Sequence, residues 1–265
     1  MRKALRTRDS CDSGRAALAR YLDRARRAAR RRGTRRDARG SAVFCAAMRL
    51  ERHGAVFLLD LGDGENRLDA ESLAGLDASL DEVEKTPGEC ALVTTARGAW
   101  FSNGYDLARL RTLSHEAQRD FVAHHERLLA RLVVFPMPTL AAIQGHAVGG
   151  GALLALAHDW RCMREDRGFF CLPEIDARIP FRPGMVALLR ARLVPAMLRD
   201  VALTGSKLGG RDALAAGIAD AVYTERDLLP RTLERADALA RKDRDTLAKM
   251  KQRLYGDVAS ALRGV

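Results

Sequence analysis

Two glycine-bearing segments carry the residue types and spacing best suited to chemistry. The first is WFSNGYDL, residues 100–107, and the second is GHAVGGG, residues 145–151. Each follows an apolar run and places glycine where a strand passes into a helix. Backbone N–H groups at such junctions lack an intrahelical acceptor and point outward. Two junctions lying side by side can aim two N–H groups at one oxygen, the arrangement that stabilises a developing oxyanion. Neither segment is decisive alone. Glycine after a strand is usually a turn, and G-G-G lacks the G-x-G-x-x-G spacing of a dinucleotide-binding loop. The other polar candidates read as structural. His146 beside the glycines suits packing or hydrogen bonding. His158 and Asp159 sit at a helix end. His124, His125 and Glu126 share a helix without a third ligand, so no metal site is expected. Arg178 and Arg182 flank Pro180 and could meet a phosphate, but a solvated loop is the expectation.

The elements that must position these segments alternate. Residues 56–61 (VFLLDL) form an apolar strand ended by the turn signal Gly62-Asp63-Gly64. Residues 69–85 carry Leu73, Leu76, Leu80 and Val83 at helical spacing. Residues 90–95 read as a second buried strand. Residues 116–134 read as a long amphipathic helix that stops before Pro136 and Pro138. Residues 140–143 form a third strand running into the glycines, and 152–157 a helix of small residues. Residues 160–163 and 169–172 are further strands, and the chain beyond Gly184 is mostly helical. The alternation predicts a layered α/β fold with helices at the C-terminal end.

Composition narrows the function classes. The chain has 265 residues, 47% of them hydrophobic, enough for one large domain with a sizeable core. No apolar run reaches the roughly 18 residues of a membrane span. The five cysteines, Cys11, Cys45, Cys90, Cys162 and Cys171, form no C-x-x-C pair and read as free thiols in a reducing compartment. Residues 1–47 hold 15 basic and 4 acidic side chains, which accounts for the whole net charge of +11. Residues 48–265 hold 30 of each, so the body carries no global signal for nucleic acid. Residues 1–47 therefore read as a basic, disordered and dispensable extension, with Met48 as the functional start. An arm for nucleic acid and an organelle transit peptide are the alternatives for that segment.

Taken together, FSNGYDL (101–107), PMPTLAAIQGHAVGGG (136–151) and LPEIDARIPF (172–181), in this order and spacing, resemble the crotonase (enoyl-CoA hydratase/isomerase) superfamily. The later segment TGSKLGGRDALAAGIADAV (204–222) is similar to it as well. The likeness covers roughly residues 48–260 and is nearest to Δ3,Δ2-enoyl-CoA isomerases of plant peroxisomal type and their bacterial relatives. It implies a spiral of ββα units spanning residues 48–203, followed by a helical C-terminal region, 204–265. The motifs are specific for the fold and for acyl-CoA, and much less so for the reaction.

The resemblance also implies roles. The N–H groups of Tyr105 and Gly150 match the two halves of an oxyanion hole. The loop containing Phe101, Ser102, Asn103, Gly104 and Leu107 matches the part that holds the adenine end of CoA through backbone groups. Gly149 lies beside the acyl thioester. Glu174 matches one of two glutamates used by hydratases, with Asp176 as an alternate base. The other glutamate would stand three residues after Gly150, where this chain has Leu153. Hydration needs a water placed and a proton delivered, work shared by two carboxylates. Isomerisation moves one proton from C2 to C4, which one base can do. Apolar neighbours such as Leu153 and Leu172 are expected to raise the pKa of Glu174.

The expected activity is therefore Δ3,Δ2-enoyl-CoA isomerisation in fatty-acid β-oxidation, with hydration, another crotonase reaction, or an RNA-binding homologue using the basic arm as alternatives. No metal or redox cofactor is implied, since CoA arrives with the substrate. A homotrimer or dimer of trimers is implied, with no membrane partner. The C-terminal LRGV is not an S-K-L type peroxisomal address, so a cytoplasmic location is expected.

Overall fold

The computed structural model describes residues 48–265, so the expectations for residues 1–47 lie outside the described residues. Its frame is two sheets threaded by one coil of chain. The larger sheet contains β1 (Arg49–His53), β2 (Val56–Asp60), β3 (Ala91–Thr95), β5 (Thr139–Ile143), β7 (Trp160–Arg164) and β9 (Ala221–Tyr223), in the order β1-β2-β3-β5-β7-β9. Only β1 is antiparallel to its neighbour, turning back at Gly54 with φ of +64°. The smaller sheet contains β4 (Trp100–Ser102), β6 (His146–Val148) and β8 (Phe170–Cys171), parallel and in that order. Each turn of the coil thus gives one strand to the large sheet, bends, and gives the next strand to the small one. This is the crotonase spiral of ββα units.

The central strands β2, β3 and β5 are mainly apolar on both faces because both faces are covered. Side chains alternate across a strand. Phe57, Leu59, Leu92, Ala141 and Ile143 point into the main core. Val56, Leu58, Ala91, Val93, Leu140 and Ala142 point the other way, onto a second core. That second core is closed by Leu228, Leu233, Ala236 and Ala240 of α9 (Glu225–Ala240).

Among the described residues, five helices precede the C-terminal group. α1 (Ala70–Lys85) opens on a capping box between Asp69 and Ser72 and buries Leu73, Leu76, Leu80 and Val83, the stripe expected from their spacing. α2 (Leu107–Leu110) is a single turn, and α3 (His115–Val133) starts at the cap Ser114. α4 (Gly150–Ala157) is buried along its whole length, which its small and apolar residues permit. α5 (Glu174–Ala177) is another single turn. The C-terminal helices are α6 (Pro183–Arg192), α7 (Pro195–Thr204), α8 (Gly210–Ala215) and α10 (Arg244–Arg263). Ala213, Ile218, Ala259 and Leu262 join the main core, so the C-terminal region packs into the same hydrophobic body as the spiral. Lys251 of α10 is buried and reaches Asp159 Oδ2 at 2.8 Å, an anchor between helix and sheet. Among the described residues, no helix is long and apolar enough to cross a membrane.

Candidate active site

The three strands of the small sheet each end in one segment of the site. β4 leads into Asn103–Gly104–Tyr105, β6 into Gly149–Gly150, and β8 into Pro173–Glu174. Neighbouring parallel strands stand about 4.8 Å apart, so three segments distant in sequence emerge side by side. Glycine is required where they meet. Gly104 has φ of +69°, and a methyl group added there would lie 2.7 Å from the Val148 carbonyl oxygen and 3.1 Å from the Gly150 nitrogen. One added at Gly150 would lie 2.8 Å from Cε1 of Tyr105. The two loops are therefore in direct contact. The Tyr105 and Gly150 amides donate to no protein acceptor among the described residues. The Gly150 amide also opens α4, where the first N–H groups of a helix lack internal partners.

Glu174 stands across from these amides. Its Oε1 would lie 3.5 Å from a methyl group placed on Gly149, and its Oε2 is buried with no hydrogen-bond partner. Burial disfavours the charged form and pushes its pKa from 4.5 up to about 7. A cavity of about 400 Å³ opens between the amides and the carboxyl, with Val122, Leu153, Ile179 and Met185 among its walls. Among the described residues, Glu174 is the only carboxylate lining it. The arrangement can hold a carbonyl oxygen against two N–H donors while a half-ionised carboxylate takes a proton from the adjacent carbon.

Of the residues expected in the site, Asn103, Gly104, Tyr105, Leu107, Gly149, Gly150, Leu153 and Glu174 all line this cavity. Phe101 and Ser102 do not line this cavity. Phe101 lies wholly in the core, and its carbonyl accepts from Asn66 Nδ2 at 3.2 Å. Ser102 Oγ donates to the Asn66 carbonyl at 2.7 Å and accepts from the Gly104 amide at 3.2 Å, bracing the loop from beneath. Leu172 is fully buried and does not line the cavity, whereas Leu153 does.

Asp176 does not reach the cavity. Its Oδ2 packs against Gly205, at the end of α7. His146 lies between the rings of Trp100 and Phe169, with centroids 4.7 and 4.1 Å away. His158 is buried, bonded to Thr94 Oγ1 at 2.8 Å and the Leu154 carbonyl at 2.9 Å. Four residues of α3 not foreseen as site residues, His115, Gln118, Arg119 and Val122, also line the cavity. Their spacing of three and four was a readable signal, but the polar members resemble a solvated face. Arg182 lies on an exposed loop, as expected, and is a wall residue as well; its Nε lies 3.0 Å from buried Glu126 Oε2.

The family model described as enoyl-CoA hydratase/isomerase matches residues 51–264. The peroxisomal enoyl-CoA delta isomerase 2 of Arabidopsis thaliana is 35% identical over 226 residues, covering 80% of this chain and 94% of that protein. A putative enoyl-CoA hydratase of Thermus thermophilus is also 35% identical, over 192 residues, covering 71% and 73% respectively. Among solved structures, a probable enoyl-CoA hydratase from Mycobacterium tuberculosis shares the fold with a TM-score of 0.77 at 25% identity, covering 82% of this chain and 92% of that one.

Proposed function

This chain belongs to the enoyl-CoA hydratase/isomerase family, and we propose that within it the protein shifts a Δ3 double bond to Δ2 in an enoyl-CoA thioester. The observation that carries this reading is that, among the described residues, Glu174 is the single carboxylate lining the cavity, while buried Leu153, the residue the resemblance matches to a second glutamate, lines it too. The Arabidopsis relatives named delta isomerases agree with it.

In this reading the thioester oxygen lies against the Tyr105 and Gly150 amides. Glu174 removes a proton from C2, which is acidified by the carbonyl on one side and the double bond on the other. The electron pair of the C2–H bond forms a C1–C2 double bond, and negative charge moves to the oxygen as a dienolate. The two amides stabilise that charge, and losing one such donor costs about 10²–10³ in rate. The protonated Glu174 then returns the same proton to C4. Electrons flow back from the oxygen, the carbonyl re-forms, and the double bond is left between C2 and C3. A base with a pKa near 7 suits both halves, because it must accept and then release the proton at neutral pH.

The test is turnover of 3-enoyl-CoA and 2-enoyl-CoA side by side. The reading expects conversion of the 3-enoyl to the 2-enoyl thioester to outpace hydration of the 2-enoyl thioester by orders of magnitude. Hydration as fast as isomerisation would sink it in favour of a hydratase.

A further inference from the structure

Tyr105 supplies more than its backbone amide. Its ring runs from the first loop to α3, where its hydroxyl lies 2.8 Å from Nδ1 of His125. The ring meets Phe121 and His125 edge-on, with centroids 5.2 and 5.4 Å away. Its Cε1 lies so close to Gly150 that no methyl group fits between them. One amide of the pair is thus carried by a residue whose side chain rests on the residue carrying the other.

We propose that the Tyr105 ring, fixed to α3 by His125, is a positioning device that sets the separation of the Tyr105 and Gly150 amides. The inference rests on the reading of these amides as oxyanion donors. α3 is a suitable reference point because it runs through nineteen residues and buries Leu128, Leu129, Leu132 and Val133 in the core. His125 is wholly buried and stays neutral, since burial and then His124 push its pKa down to about 3. Burial, followed by the charges of Glu126 and Glu174, holds the Tyr105 phenol well above its usual range. The contact therefore stays neutral to neutral while Glu174 titrates, and neither partner competes for the transferred proton. Without the His125 contact the ring can tilt and one amide can leave the oxygen. Alignment matters most in the transition state, where charge on that oxygen is greatest.

The experiment compares Tyr105→Phe, His125→Ala and His125→Asn with wild type. Phenylalanine keeps the ring and loses the hydroxyl. Asparagine places an amide atom near the position of Nδ1. Tyr105→Phe and His125→Ala are expected to lower kcat for 3-enoyl-CoA by about tenfold or more, short of the 10²–10³ for a lost donor. KM should stay within about threefold, because a transition-state interaction is lost rather than ground-state binding. His125→Asn should recover most of the rate, and the pH at half-maximal kcat should not move. An unchanged kcat in the folded Tyr105→Phe variant overturns the inference, as does a rise in KM that accounts for the whole effect. If wild type itself fails to isomerise, the proposed reaction falls. The positioning role is then read from exchange of C2 protons of butyryl-CoA in D2O, which needs the same amides and base. Equal exchange by wild type and Tyr105→Phe, or none by wild type, overturns it there.

Discussion

Glu174→Gln keeps the shape of the side chain and removes its ability to accept a proton. The variant is expected to fold and to lose about 10²–10⁴ of kcat, the usual contribution of a general base. Retention of a tenth of the wild-type rate would exclude Glu174 as the proton carrier. In wild type, activity should rise with pH through the raised pKa of about 7, because the carboxylate form starts the reaction. Stability runs the other way. The folded-state pKa lies above the ordinary 4.5, so the folded protein holds its proton more tightly than the unfolded chain. The contribution is complete below 4.5 and is lost as pH rises toward 7. Thermal melts of the Gln variant should match wild type in acid and exceed it at about pH 8. Leu153→Glu asks the opposite question. It puts a second carboxylate on the cavity wall, where two can hold a water that one cannot hold as well. Like charge should also push one pKa up, leaving one acid and one base. Weak hydration of crotonyl-CoA above wild type is expected, with about 1–3 kcal/mol of lost stability if the new group finds incomplete hydrogen bonding. Rapid hydration by wild type, with no gain in the variant, would show that Leu153 does not mark the reaction.

The glycines act between elements. A methyl group at Gly151 would lie 2.5 Å from Ser102 Cβ and 2.6 Å from the Ser102 carbonyl oxygen, so α4 can sit on β4 only without a side chain there. Gly151→Ala is expected to lose about 1–3 kcal/mol in urea melts, the usual cost of overpacking. It should also lower kcat by pushing the Gly150 amide off line. An Ala variant as stable and active as wild type would mean that the helix and strand slide apart freely. The same close contacts explain what was legible in the sequence. β2, β3 and β5 announce themselves as apolar runs, and α1 and α3 as periodic stripes. β4, β6 and β8 are only two or three residues long, too short for any alternation to register. Only β8 falls within a segment read as a strand, 169–172; β4 and β6 were marked by the glycine motifs alone. Phe101 and Ser102 belong to β4, and the segment 103–107 follows directly from it. The pairings of Tyr105 with His125 and of Arg182 with Glu126 join residues 20 and 56 positions apart, and nothing in local spacing reports them.

At the scale of the whole molecule, a buried ion pair joins α10 to the spiral beside the core contacts of Ala259 and Leu262. Lys251 Nζ bonds Asp159 Oδ2 and, at 3.3 Å, the Met137 carbonyl, while Asp159 also receives the amide and hydroxyl of Thr139. Lys251→Ala would leave Asp159 in the interior without its counter-charge, at a cost of about 3–5 kcal/mol. A loss below about 1 kcal/mol in denaturant titration would show that water reaches Asp159 easily. Among the described residues the site draws on none before Asn103. A chain beginning at Met48 is expected to retain wild-type kcat and KM, because residues 1–47 are too poor in apolar side chains to join the core. Loss of activity on that shortening would give residues 1–47 a part in catalysis. Polyanion binding by the full chain should weaken steeply with salt and vanish with those residues, since the remainder is charge-balanced.

The strand order β1-β2-β3-β5-β7-β9 never runs backwards along the chain. Every strand of the large sheet docks on one made before it. A chain leaving the ribosome can wind up turn by turn, with no early strand waiting exposed for a late partner to be inserted. The amides of residues 105 and 150 are in place before residue 174 arrives, and Lys251 is among the last to dock. At roughly 5–20 residues per second, several seconds separate the first amide from the base. Under the proposed reaction, ability to stabilise an anion thus precedes ability to create one, and a chain stalled in between would be a thioester-binding shell without turnover.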